Sequence, residues 1–265
     1  MTLLQLVVLA VVQGLTEFLP VSSAAHLILV SRFTDWADQG LAFDTATHVG
    51  TLIAVMIYFR RDLARMAVSM RPNAPQADRR LLRALIVATL PALMVGALAA
   101  GFVEAFLREP LLIAGTTIFF ALVLLVADRT GIQQRGVDSV GWKTGLWIGL
   151  AQVLALIPGT SRSGITITAA MFLGLRRDAA ARFSFLMSIP IIAAAGGWGF
   201  LQAFRAGESV DLFNFGLAAA ISGMVAWATV AAFLAWLKRH GMTPFVIYRL
   251  VLGVVLLAWF WPGTN

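Results

Sequence analysis

The chain has 265 residues, 60% of them hydrophobic and only 12% charged, with a mean hydropathy of +0.86, a balance no soluble globular domain carries. It has no cysteine, so disulfides and thiolate chemistry are excluded and any metal must find oxygen or imidazole donors. A net charge of +7 invites a nucleic-acid reading, but in a membrane protein it is more simply the excess of basic residues in cytoplasmic loops, and no nucleic-acid partner is expected.

The first apolar stretch, 2–31, lacks a basic leader and runs into QGLTEFLPVSSAAH (13–26) rather than a small-residue cleavage site, so no cleavable signal peptide is expected. Glu17 interrupts it, and an ionisable side chain in hydrocarbon costs several kcal/mol unless it faces a polar cavity. Gln13 and Glu17 are spaced i,i+4 and share a helical face. Pro20 ends that helix, Ser22 or Ser23 can cap the next, and His26 follows Ser23 by three residues. A carboxylate, a serine and a histidine converging in a cavity are the parts of a nucleophile with its acid or base. The plainer alternative makes the serines N-caps and His26 an interfacial residue; the nearby Glu17 turns the balance toward chemistry.

Three spans of crossing length follow, 44–59, 84–103 and 111–127, each about long enough for a ~30 Å hydrocarbon core. Asp44, Thr47 and His48 open the first of them and read as boundary residues, and Asp128 with Arg129 reads as a helix end. The stretch 144–175 is broken by PGTSRSG (158–164). There Gly159, Thr160, Ser161, Arg162, Ser163 and Gly164 open a helix whose free N–H groups and dipole attract an anion. Three hydroxyls can donate to phosphate oxygens, and the Arg162 fork binds two of them. The structural alternative pairs Arg162 with Glu17 alone. Spans 183–204, 213–237 and 246–261 complete the chain, and Trp36, Trp198, Trp259 and Trp261 read as interface anchors.

Loop charge sets the expected topology. Segments 60–83, 128–143, 176–182 and 238–249 hold 16 of the 20 Lys and Arg, seven of them in 60–83. Segments 32–44, 104–109 and 205–211 hold Arg32, Arg108 and Arg205 against seven acids. The first set is therefore cytoplasmic and the second external. The two remaining stretches, 2–31 and 144–175, each begin and end on one side, which fits re-entrant helix pairs with tips in mid-membrane. Offset by 138 residues, Leu19–Ser23 lies over Ile157–Ser161, and three crossings follow each break. The expected fold is thus an all-α polytopic membrane protein: six transmembrane helices plus two re-entrant hairpins in an inverted-topology repeat. Residues 1–127 form the first repeat, 128–143 a cytoplasmic linker and 144–265 the second, all in one membrane domain.

The run Glu17-Phe18-Leu19-Pro20-Val21-Ser22-Ser23 with His26, joined to Pro158-Gly159 and Ser161-Arg162-Ser163-Gly164, closely resembles the undecaprenyl-pyrophosphate phosphatases linked to bacitracin resistance. The similarity spans essentially the whole chain, including FSFLMSIP (183–190) and PFVIYR (244–249). It implies a bacterial inner-membrane enzyme that hydrolyses the lipid carrier diphosphate on the periplasmic side with a divalent cation, Mg²⁺ or Ca²⁺. Its partners would be a prenyl diphosphate and membrane lipids, and a homodimer is compatible with it. Glu17, Ser23, His26 and Arg162 match the family's essential positions. Gln13 stands where a first glutamate is usual, one ligand charge fewer for a metal, and Ala24 stands in place of a threonine. The implied reaction is phosphoryl transfer to Ser23 or to a water in its place. Arg162 and the 159–164 amides would stabilise charge, His26 would act as acid or base, and Glu17, with Gln13, would orient the nucleophile or hold the cation. A transporter or flippase of a polyprenyl phosphate would show the same arginine and hydroxyls, without needing a serine and histidine placed for chemistry.

Overall fold

A computed structural model of the chain describes residues 1–34, 36, 40–71, 75–106, 109–205 and 211–261. The acidic loop residues Asp35, Asp38 and Glu208, together with Arg108, lie outside the described residues. Helices follow the apolar runs. α1 (Leu3–Thr16) starts on a capping box between Thr2 and Gln5 and ends at Glu17, because Pro20 offers no N–H and constrains the residue before it. α2 (Ser23–Thr34) and α3 (Leu41–Tyr58) follow, then the short polar α4 (Arg60–Val68). α5 (Gln76–Phe106) and α6 (Pro110–Thr130) close the first half; α6 opens with a proline at its start, where a missing N–H costs nothing. α7 (Trp142–Val153) and α8 (Arg162–Phe172) flank the second break, with a 3₁₀ turn at Leu154–Leu156. α9 (Arg177–Arg205), α10 (Leu212–Leu237) and α11 (Thr243–Phe260) complete the chain. Among the described residues the sole β-type pairing is an isolated bridge between Arg135 and Leu175.

Five of these helices are long and apolar enough to cross a membrane: residues 76–99 of α5, and α6, α9, α10 and α11. They turn large apolar side chains outward, among them Leu98, Phe119, Phe204, Phe213 and Val254, as lipid-facing surfaces do. The expected crossing at 44–59 is helical as α3, which packs against α9 and α10. The arms of the two broken stretches are shorter. With 14 and 12 residues in α1 and α2, and 12 and 11 in α7 and α8, none exceeds about 21 Å at 1.5 Å per residue.

Small residues let the helices approach closely, as membrane packing favours. A Cβ on Gly50 of α3 would stand 2.1 Å from the Ala219 carbonyl oxygen of α10, and one on Gly149 of α7 would stand 2.3 Å from that of Ala88 in α5. The contacts pair off: α1 runs along α10 as α7 runs along α5, while α3 meets α9 and α6 meets α11. Phe18 joins the core through an edge-on contact with Phe185 at 5.2 Å, which continues to Phe233 and Phe245. Arg249 does not belong to the exposed basic face that loop charge assigns to 238–249. It sits inside α11 with no exposed surface; Lys238 and Arg239 alone carry that segment's exposed charge.

Candidate active site

The two helix breaks meet. Arg162 Nη2 donates to Glu17 Oε1 at 2.8 Å, and Ser163 Oγ donates to the Leu19 carbonyl oxygen at 2.8 Å. The guanidinium also lies over the Phe18 ring, 5.9 Å from its centre. Each break ends on a serine with left-handed backbone, Ser22 at φ 71° and Ser161 at φ 69°, one residue out of the 138-residue register. That conformation costs a non-glycine residue on the order of 1–3 kcal/mol and persists only where surrounding contacts impose it. A cavity of about 310 Å³ opens between the breaks. Glu17, Ser22, Ser23, His48, Gly159, Ser161 and Arg162 supply its polar wall, and Ile157, Ile191, Ile192 and Ala195 its apolar one.

On the first hairpin, Gln13 Nε2 donates to Glu17 Oε2 at 2.8 Å, as the i,i+4 spacing requires. Ser23 Oγ lies 3.4 Å from the same oxygen, a long and weak bond. Both carboxylate oxygens are thus engaged, one by a cation and one by neutral donors. Arg162 keeps one arm back: its Nη1 is buried without a partner, so the fork has a donor left for an incoming oxygen.

On the second hairpin, side chains of α6 and α11 hold three successive carbonyls. Thr116 Oγ1 donates to Pro158 O at 2.6 Å and Thr117 Oγ1 to Gly159 O at 3.3 Å. Arg249 Nη2 donates to Gly159 O at 2.9 Å and to Thr160 O at 3.0 Å. Gly159 takes φ +89°, and a Cβ there would stand 2.2 Å from Thr116 Oγ1, so no other residue fits. A Cβ on Gly164 would stand 2.8 Å from Arg249 Nη1; that glycine admits the arginine. Ser161 caps α8 by accepting from Gly164 N at 3.2 Å. The N–H groups of Arg162 and Ser163, in the first helical turn, have no acceptor within their own helix.

Glu17, Ser22, Ser23, Gly159, Ser161 and Arg162 therefore share one cavity, with Gln13 bonded to Glu17 behind them. Four predicted residues sit differently, among them Gly164, which is outside the cavity lining and gives its N–H to Ser161 Oγ. Ser163 uses its hydroxyl to tie the hairpins together, and Thr160 Oγ1 is buried without a partner. His26 is outside the cavity wall: its Nδ1–H donates to the Ser22 carbonyl at 2.7 Å. In the neutral ring its Nε2 then accepts from the Tyr248 hydroxyl at 2.5 Å, and the two rings lie nearly parallel. The imidazole that does face the cavity is His48, 3.8 Å from Glu17 Oε2. Sequence reasoning passed over His48 and Arg249, though each is a polar head in an apolar helix, the signal that singled out Glu17 and Arg162. A larger hollow, about 810 Å³, lies beside Asp62, Arg65 and Arg182; its lining holds ion pairs but no hydroxyl nucleophile beyond Tyr58, and chemistry is not placed there.

Fold and site define a polytopic helical membrane protein built around a buried carboxylate–guanidinium pair at the start of an anion-binding helix. The sequence signature of the family described as Bacitracin resistance protein BacA matches residues 6–255, and the chain belongs to that family. It is 50% identical to an undecaprenyl-diphosphatase of Alteromonas mediterranea over 264 residues, covering 98% of this chain and 99% of the relative. It is 52% identical over 266 residues to that of Thioalkalivibrio sulfidiphilus, covering 98% and 100%. It is 51% identical over 267 residues to undecaprenyl-diphosphatase 2 of Stutzerimonas stutzeri, covering 98% and 99%.

Proposed function

We propose that the chain hydrolyses undecaprenyl diphosphate to undecaprenyl phosphate and inorganic phosphate, returning the lipid carrier to cell-wall synthesis. The observation that carries this is the joint cavity, where an arginine with a free donor and an open helix start face a serine beside a carboxylate. Relatives named undecaprenyl-diphosphatase at about half identity support the substrate. The apolar wall of Ile157, Ile191 and Ile192 suits a prenyl tail, and the polar wall its diphosphate.

In the reaction, Ser23 Oγ or a water in its place forms a bond to the terminal phosphorus. The bond from that phosphorus to the bridging oxygen breaks, and undecaprenyl phosphate leaves. If serine attacks, water then hydrolyses the phosphoserine and releases phosphate. Arg162 and the first N–H groups of α8 stabilise charge on the transferring oxygens, the main catalytic work in such transfers. Glu17 holds Arg162 and Ser23 in register. His26 serves as proton donor or acceptor once its bond to Tyr248 opens.

A divalent cation, Mg²⁺ or Ca²⁺, belongs to this proposal. Glu17 Oε2, with Gln13 Oε1 once the amide is turned end for end, suits a hard ion that takes one carboxylate and completes its shell with water and phosphate oxygens. Bound there, it would supply positive charge to the diphosphate. The proposed architecture has six crossings, α3 included. The hairpins are re-entrant, the repeats run 1–127 and 144–265 about the 128–143 linker, and the site opens to the periplasmic side of the inner membrane. The short hairpin arms and the paired helix contacts support it. Both halves of the site come from one chain, so a homodimer is not required for chemistry.

Release of phosphate from undecaprenyl diphosphate by the purified chain in detergent tests the proposal. No membrane then separates two sides, so a polyprenyl-phosphate transporter would release none.

A further inference from the structure

Gln13, Glu17 and His48 form a cluster that the proposed reaction uses only in part. Gln13 Nε2 stands 2.8 Å from Glu17 Oε2 and 3.3 Å from His48 Nε2, and the latter two stand 3.8 Å apart. His48 Nδ1 lies 2.7 Å from the Asp44 carbonyl oxygen. A carbonyl accepts only, so Nδ1 carries the proton and Nε2 turns its lone pair toward Gln13 and the cavity, the arrangement that orients metal-binding imidazoles. The other end of the Gln13 amide, Oε1, is buried with no partner.

An amide's two ends have nearly the same shape, and a half-turn exchanges them. Turned, Gln13 Oε1 would face Glu17 Oε2 and His48 Nε2. Three lone-pair donors would then converge with no N–H between them, an arrangement that a bound cation stabilises. Donors bound at about 2.0–2.3 Å to one ion stand roughly 2.8–3.8 Å from each other, depending on its geometry, and the trio's separations of 2.8, 3.3 and 3.8 Å span that range. Among the described residues no three His, Cys, Asp or Glu side chains make such a group, because the third donor here is an amide.

We propose that His48 is a ligand of the divalent cation, completing with Glu17 and Gln13 a set of one carboxylate, one amide and one imidazole. That set favours Mn²⁺ over Ca²⁺. It carries a single negative charge, which weakens it for hard ions, and an imidazole nitrogen, which draws transition ions. The inference rests on the proposed cation-assisted phosphatase site, but its test does not use turnover.

The full chain, purified in detergent without substrate, is titrated with Mn²⁺ and examined by pulsed electron paramagnetic resonance. Bound Mn²⁺ should show coupling to a directly ligated nitrogen-14, a measurement on the native sequence that no folding defect can mimic. His48→Gln should abolish that coupling and weaken Mn²⁺ binding by at least ~10-fold while weakening Ca²⁺ less. Bound Mn²⁺ without nitrogen coupling, absence of Mn²⁺ binding, or equal affinity in His48→Gln would overturn the assignment. Nitrogen-coupled Mn²⁺ in a chain that releases no phosphate from undecaprenyl diphosphate would uphold the ligand set and sink the phosphatase proposal instead.

Discussion

The two helix breaks share a backbone device and differ in how firmly it is held. Each ends on a left-handed serine, after which the next helix starts, with Ser23 at the head of α2 and Arg162 at the head of α8. The second break is fastened from three directions. Thr116, Thr117 and Arg249 bind its consecutive carbonyls, and Gly159 fits where no side chain could. The first break is held by two carbonyl bonds, from Ser163 to Leu19 and from His26 to Ser22. Charge divides in the same way. The fastened break carries the guanidinium and the open helix start, and the other carries the carboxylate and the serine. The difference matches the proposed roles: an anion cradle works best when fixed in advance, whereas a nucleophile and its partners must shift as bonds form.

The largest effect should come from the pair that joins the breaks. Arg162→Ala should lower turnover by roughly 10³–10⁵-fold, the span arginines supply in phosphoryl transfer, and Arg162→Lys, without the fork, should remain severely impaired. Because Arg162→Ala strands a buried carboxylate, it should also destabilise by about 3–5 kcal/mol. Adding Glu17→Gln should recover much of that stability and none of the activity, as read by thermal unfolding beside phosphate release. A double variant no more stable than Arg162→Ala would show that the pair does not set the local energetics.

Ser23→Ala comes next. If serine is the nucleophile, turnover should vanish with substrate binding preserved; a full-rate enzyme would leave Ser23 as a structural hydroxyl. His26→Ala should cost roughly 10²–10⁴-fold if the ring moves a proton. Tyr248→Phe should cost far less, or raise the rate, since it frees His26 Nε2 from its 2.5 Å bond. A loss in Tyr248→Phe as large as in His26→Ala would make the pair a single functional unit.

Arg249→Met tests the fastening itself. It leaves the Thr160 carbonyl without its side-chain donor in a buried setting, at about 1–3 kcal/mol, while the Gly159 carbonyl keeps its bond from Thr117. The expected result is a lower melting temperature with a smaller loss of activity than in any Arg162 variant. Unchanged melting would mean that α6 alone fixes the turn.

Much of this was legible before any coordinates. The helix ends at Glu17, the breaks at Pro20 and Pro158 and the Gln13–Glu17 bond follow from local rules, which act within a few residues. The nearness of the two breaks is expected from the 138-residue offset and the opposite loop charges, and the Glu17–Arg162 pair is the alternative that the sequence offers beside a phosphate clamp. What escaped depends on packing between distant helices. Arg249 was hidden by its nearness to Lys238 and Arg239, because loop-charge counting cannot tell a loop end from a helix interior. His48 reads as a boundary residue in sequence because only the packing of α3 beside α1 brings it to Glu17, and the bond from the Ser163 hydroxyl to the Leu19 carbonyl likewise joins residues far apart in the chain. The turn of His26 toward Tyr248, 222 residues on, is a rotamer choice that spacing does not encode.

The account rests on the two breaks forming a single site, and disulfide formation in the membrane tests that most directly. The chain has no native cysteine to interfere. Leu19→Cys and Ser163→Cys place thiols on the two residues that the Ser163 hydroxyl–Leu19 carbonyl bond joins, avoiding Gly159, which tolerates no side chain. The pair should crosslink rapidly under mild oxidation, and a control pair of Leu19→Cys with Trp227→Cys, on the outward face of α10, should not. Failure of the 19–163 pair to crosslink in a folded, membrane-inserted chain would contradict the shared site and everything built on it.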